Sequence, residues 1–231
     1  FDSNVGWNSN SGNNSNVQSW MWKCHAGFDV VTYEGNGTSG HSIPHSLSKV
    51  PEMVWIKNRD GSNDWGVYHK DMHGSIPEKY YMELNNTAAR VYIGNGWFFP
   101  PTSTVFKLGN DATVNQNNVN FIMMLFASVA GISKCGYYTG NGSNQTITFG
   151  FQPRFVVIKS SSLANTGWVV LDTLRGWTDS DSRSIRLDRD NAQSGSDSGY
   201  GYATSTGMDL TGDGGTHTNE NGATYIYYAH A

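Results

Sequence analysis

The sequence predicts an all-β protein made of two tandem antiparallel β-sandwich units of jelly-roll or lectin-like type, and three observations carry that expectation. One set of anchors occurs twice along the 231 residues, in the same order. Short runs rich in β-branched and aromatic residues stand between turn residues. No stretch keeps a helical apolar period over three turns.

The repeat is the first thing to establish, because it divides the chain. GFDVVTYEGNGT, from Gly27, is echoed by GISKCGYYTGNGS, from Gly131, so that Tyr33 and Tyr138 lie 105 residues apart, each followed by one residue and then Gly-Asn-Gly. PEMVWIKN from Pro51 returns as PRFVVIKS from Pro153 at an offset of 102, and WGVYHKD from Trp65 returns as WVVLDTL from Trp168 at 103. The closing run NFIMMLFA from Asn120 matches TYIYYAHA from Thr224 at 104. Colinear anchors with nearly constant spacing indicate duplication, with units over residues 27–130 and 131–231. A third copy of the closing run, NVQSWMWK from Asn16, makes residues 1–26 the end of a preceding unit plus a linker, and predicts a strand over 16–23 that pairs with a sheet edge. The chain opens on Phe1 rather than Met, so it is read as a piece of something longer.

Within a unit, MVWIK and FVVIK are continuous apolar runs, as expected of strands buried on one or both faces. Val54 and Ile56 should then hold the places of Val156 and Ile158. Pro51 and Pro153 lack an amide donor and can only open their strands. Asn-Gly pairs at 36, 95, 141 and 221 supply the positive φ that tight turns need, each at a break between apolar runs. Seven or eight short strands per unit would close a two-sheet sandwich; a closed barrel per unit is the alternative. Residues 178–215, rich in Ser, Asp and Gly, read as a long exposed loop region with one strand near 185–187.

Composition narrows the function classes. A net charge of −4 with scattered Lys and Arg gives no basic stripe, so nucleic acid is not an expected partner. The longest apolar run, residues 121–132, is too short to span a bilayer as a helix and is interrupted by Ser128 and Gly131, so no membrane insertion is expected. Cys24 and Cys135 are too few for a disulfide framework and read as reduced residues in strands.

The chemistry-bearing residues are sparse. His69 and His73 in HKDMH have metal-ligand spacing only on a helix, and this segment continues a strand into a loop. His41 and His45 flank Ile43 and Pro44 without a further ligand. Asp209, Thr211 and Asp213 resemble the start of a calcium loop that lacks its closing glutamate, and turn formation explains them as well. Glu52, Glu78, Glu83, Asp172 and Asp188 form no alternating acidic cluster of the kind a sandwich glycosidase needs. No nucleophile elbow or phosphate loop is present. The expectation is a protein that is not an enzyme, with no metal site and no cofactor. Aromatic rings set among Gly, Asn and Ser remain: Trp97, Trp177, Tyr200 and Tyr202 are the candidate ligand-binding residues, with Trp7, Phe98 and Phe99 beside them, for rings can stack on a sugar face. The competing reading places them in a core or a subunit interface.

The succession WMWKCHAGFDVVTYEGNGTSGHSIPHSL, VPEMVWIKNRDGSNDWGVYHK, PPTSTVFKLG, FASVAGISKCGYYTGNGSNQTITFGFQPRFVVIK and ATYIYYAHA resembles a repeat domain of uncharacterised function in large structural proteins of marine tailed phages, especially those infecting cyanobacteria. The resemblance covers nearly all of residues 16–231. It implies a virion structural role, as a tail fibre or spike for host attachment, or as a capsid decoration or head fibre. The partners it implies are other virion subunits, in a homo-oligomer, and a host-surface glycan. A soluble carbohydrate-binding module is the alternative class.

Overall fold

Strand outweighs helix by 39% to 7% in the computed structural model, which makes the protein all-β. Residues 22–24, 26–94, 96–180, 182–194 and 198–231 are described. The first half supplies β1 (Phe28–Glu34), β2 (His41–Pro44), β3 (Met53–Asn58), β4 (Gly66–His69), β5 (Tyr80–Glu83), β6 (Val91–Tyr92), β7 (Val105–Leu108), the one-turn helix α1 (Ala112–Asn115) and β8 (Asn120–Phe126). The second half supplies β9 (Ser133–Thr139), β10 (Gln145–Thr148), β11 (Phe155–Ser160), β12 (Val169–Asp172), β13 (Ser184–Arg186), β14 (Tyr202–Ala203), β15 (Gly207–Leu210), the one-turn helix α2 (Gly215–Thr218) and β16 (Thr224–His230).

The strands form a large and a small antiparallel sheet in each half. In the first, the order is β1-β8-β3-β4-β5-β6, with β2-β7 apart; in the second it is β9-β16-β11-β12-β13, with β10-β15-β14 apart. The two large sheets run in the same order when β9 is set on β1, β16 on β8, β11 on β3, β12 on β4 and β13 on β5. Register agrees as well. Val54 faces Leu125 and Ile56 faces Met123, while Val156 faces Ala229 and Ile158 faces Tyr227, each pair 102 to 104 residues further on.

Alternation along the central strands explains how the sheets stack, because successive side chains point to opposite faces. Val54, Ile56, Met123 and Leu125 join Ile43, Phe106 and Leu108 in a core between the first large sheet and β2-β7. Val156, Ile158, Tyr225 and Tyr227 join Met208 and Leu210 in the matching core of the second half. The opposite faces meet each other: Met53, Trp55, Val67 and Phe126 pack with Phe155, Val157, Trp168, Val170, Ile226 and Tyr228 in one cluster. Among the described residues four sheets thus enclose three cores, and the middle core belongs to both halves. Phe126 and Tyr228, with ring centroids 4.7 Å apart, cross it. The Trp168 indole N–H crosses it too, donating to Glu83 O at 2.8 Å. The sequence expectation of two sandwiches in tandem did not include this third interface, which buries the central part of the second face of both large sheets.

Turn chemistry repeats with the strands. Gly37 and Gly142 sit at φ of +65° and +66°, the left-handed region that favours glycine. Gly35 and Gly140 pass so close to the opposite chain that a Cβ would lie 2.2 Å from Gln116 O and 2.3 Å from Glu220 O. The Tyr33 hydroxyl donates to Val114 O and the Tyr138 hydroxyl to Thr218 O, each at 2.6 Å, tying the first strand of each half to its one-turn helix.

Asn115 and Asn219, both fully buried, close the two helices in the same way. Asn115 Oδ1 accepts from Asn36 N at 3.0 Å, and its Nδ2 donates to Thr38 O at 3.0 Å and Gly109 O at 2.7 Å. Asn219 Oδ1 accepts from Asn141 N at 3.0 Å, and its Nδ2 donates to Ser143 O at 2.6 Å and Thr211 O at 3.0 Å. Alanine at either position leaves several buried groups unpaired, at about 1–3 kcal/mol for each group left unsatisfied. Asn115→Ala and Asn219→Ala should each lower stability by about 2–4 kcal/mol in urea unfolding, on the same principle. A loss below 1 kcal/mol at one position only would show that the two networks are not equivalent.

Several sequence expectations need correction. Residues 178–215 hold β13, β14 and β15 rather than a single strand, and Met208 and Leu210 are core residues, 0% and 1% exposed. Cys135 is buried in β9 as expected, but Cys24 lies exposed in a turn before β1; neither is in a disulfide. Most of the strand expected over 16–23 lies outside the described residues. Its described end, Trp22, packs on Phe28, Phe126 and Phe155 at centroid distances of 5.5 to 5.9 Å, against the rim of the middle core.

Candidate functional site

Three of the four candidate rings are in the cores. Trp97 is 2% exposed and stacks on Tyr81 at 3.9 Å, in a space left open by Gly66, where a Cβ would stand 2.7 Å from the indole. Trp177, also 2% exposed, belongs to the inner core of the second half. Tyr200 is 7% exposed, and its hydroxyl accepts from Arg186 Nη2 at 2.6 Å. None of these rings offers a free face to a sugar. Tyr202 is half-buried on β14 beside Asp209; bonding to that carboxylate raises its pKa above the usual phenol value. Phe98 is fully buried, Phe99 is half-buried, and Trp7 lies outside the described residues.

Arg186 does more than hold Tyr200. Its Nη1 lies 3.2 Å from His217 Nδ1, and burial followed by the Arg186 and Arg189 charges pulls the His217 pKa down to about 4. Nearby, Lys159 is fully buried, donating to Ser160 O and Thr166 Oγ1 at 2.9 Å each, and burial lowers its pKa to about 8. Thr166 is itself buried, so this polar knot pins a loop rather than facing solvent.

The histidines of HKDMH are separated by their environments. His69 is fully buried at the junction of the halves; the Asp71 amide donates to its Nδ1 at 3.1 Å, which leaves Nε2 to donate to Tyr227 O at 3.2 Å. Burial lowers its pKa to about 4. His73 instead stacks on Tyr80 at 4.7 Å. His41 and His45 are bonded to Asn115 Oδ1 and Thr102 O. Among the described residues no group of three His, Cys, Asp or Glu side chains is placed to hold a metal.

The His69 arrangement gives a pH prediction. A histidine whose folded pKa lies below its unfolded value of about 6.5 favours the folded state above that pH and loses this contribution as pH falls toward 4. Stability of the protein should therefore drop between pH 6.5 and 4, by up to about 3 kcal/mol from this group. In His69→Gln, urea midpoints measured across that range should fall less steeply; an unchanged slope would remove His69 as the cause.

A site that sequence reasoning missed lies where the middle core meets solvent. The turn after β4, with Lys70, Asp71 and His73, and Arg90 before β6 form one wall; Tyr137 of β9 and Thr224 of β16 form the other, enclosing about 400 Å³. Lys70 Nζ is held 3.0 Å from Glu52 Oε1, which raises its pKa. Burial raises the Asp71 pKa. Arg90 N donates to Ser161 O at 3.0 Å, and its guanidinium lies 5.8 Å from the Tyr80 centroid. Tyr137 is on the same face of β9 as buried Cys135 but one residue pair nearer the rim, and is 59% exposed. The doublet Tyr137-Tyr138 was the available signal, since adjacent strand residues face opposite ways and only one could join the inner core.

Over residues 2–231 the chain matches the family described as domain of unknown function DUF7483, and it belongs to that family. No curated protein and no solved structure matches it.

Proposed function

We propose that the chain is a non-enzymatic structural module of a tailed-phage particle, displayed at its surface as part of a tail fibre or spike that attaches to the host. The observation that carries this reading is the middle core. It binds two strand-matched halves into one stiff block, and stiffness is what a displayed module needs to present loops and clefts at fixed positions. The resemblance in the sequence to phage structural repeats adds the setting. On this reading residues 27–130 and 131–231 are copies of one jelly-roll or lectin-like sandwich unit, and 1–26 close a preceding one. The partners are other virion subunits in a homo-oligomer, where weak contacts multiply through avidity, and a host-surface glycan.

Purified particles of the phage that encodes the chain should contain it at structural copy number by mass spectrometry, with labelled antibody at the tail in electron micrographs. Label on the head would move it to capsid decoration. Its presence only in soluble lysate would overturn the particle reading. A soluble carbohydrate-binding module is the second reading, favoured by the cleft with exposed Tyr137.

A further inference from the structure

We propose that the cleft at the rim of the middle core, between Asp71 and Arg90 on one wall and Tyr137 on the other, is a binding site for a neutral saccharide. This deepens the attachment reading above and rests on it for its biological setting. The cleft's size, about 400 Å³, falls within the range of about 300–1,000 Å³ usual for small-ligand sites.

Its chemistry is that of a polyhydroxyl ligand. Tyr137, 59% exposed at the rim, provides an aromatic platform. Facing it are donors and acceptors already fixed in place. Lys70 is braced by Glu52 at 3.0 Å, the Asp71 amide is bonded to the buried His69 at 3.1 Å, and the Arg90 backbone is anchored on Ser161 O at 3.0 Å. Adjacent sugar hydroxyls both give and take hydrogen bonds, so a carboxylate beside cationic donors suits them better than either alone. The Lys70 charge is taken up by Glu52, so an anionic ligand would meet the Asp71 carboxylate with Arg90, and Lys134 acting on Asp71, as its attraction. The acidic arm of the test decides between neutral and acidic sugars.

The other half provides an internal control. Leu174 stands 103 residues after Asp71, in the turn after β12, and is 75% exposed. The matched turn there carries Leu in the place of Asp71, and the acid before it, Asp172, is buried and accepts from the Leu174 amide at 2.7 Å.

The test uses the full chain on an array of neutral oligosaccharides (α- and β-linked glucans, galactans and mannans) with polygalacturonate as the acidic arm. Saturable binding to a neutral glycan is expected, with at least a tenfold weakening in Tyr137→Ala, a several-fold weakening in Asp71→Asn, and none in Leu174→Ala. Thermal unfolding of Tyr137→Ala should match the wild type, which separates lost contact from lost fold. No neutral binding, binding of polygalacturonate alone, or neutral binding that Tyr137→Ala leaves intact would each overturn the proposal. If wild type and Tyr137→Ala bind host cells equally, the cleft assignment falls while the attachment reading stands; if neither binds cells yet the array result holds, the reverse is true.

Discussion

Residues 27–130 expressed without the second half are expected to give an aggregating or molten product, and residues 131–231 likewise. Separation strips the cover from Phe28, Met53, Trp55, Val67, Met72, Met82 and Phe126, all 6% exposed or less in the whole chain. Uncovering a large apolar side chain costs about 1.5–3 kcal/mol, so seven amount to on the order of 10–20 kcal/mol. A domain commonly has about 5–15 kcal/mol of stability in all. Size-exclusion chromatography with dye binding to exposed apolar surface would report the outcome, and the intact chain should unfold in one transition. A soluble monomeric half with its own cooperative transition, and no dye binding, would show that the middle core is dispensable.

Trp168→Ala should be among the most damaging single substitutions. The ring is 1% exposed in the middle core, and truncating a buried Trp costs about 3–5 kcal/mol. Its indole N–H also satisfies Glu83 O across the junction, and losing that bond adds about 1 kcal/mol. Circular dichroism in urea would measure the shift; the fluorescence of the seven remaining tryptophans is a second probe. Trp168→Phe keeps an aromatic ring in the core but loses the N–H and part of the indole volume, so it should recover a large part, not all, of the loss. Equal damage from both variants would mean that the hydrogen bond, not the packing, dominates.

The sequence made the strands legible where it repeated itself. MVWIK and FVVIK read as buried central strands because prolines open them and turns close them, and the shared register of Val54 with Val156 follows from the constant offsets. What lay across the second face of those strands was not legible. A continuous apolar run is consistent with a strand covered on one or both faces and says nothing of the cover, which here is the other half of the chain. Trp97 and Trp177 looked exposed because Gly, Asn and Ser surround them; glycine can equally make room for a buried ring, as Gly66 does under Trp97. The cleft was hidden for a further reason. Lys70, Asp71 and Arg90 come together with Tyr137 only through the docking of the halves, and no local pattern encodes that docking.

The middle core also imposes parity on any longer array of this unit. Each half hides one face of its large sheet under its own small sheet and the central part of the other under its neighbour, so the two copies cover each other's apolar rows and leave the edge strands β1 and β9 exposed at Val30 and Tyr137. Further copies along a chain would then associate in twos. An unpaired copy would carry a bare row of the residues that match Met53, Trp55 and Phe126, a surface that must be matched by another molecule or lost to aggregation. Growth of such an array would proceed in steps of about two hundred residues, twice the period written in its sequence.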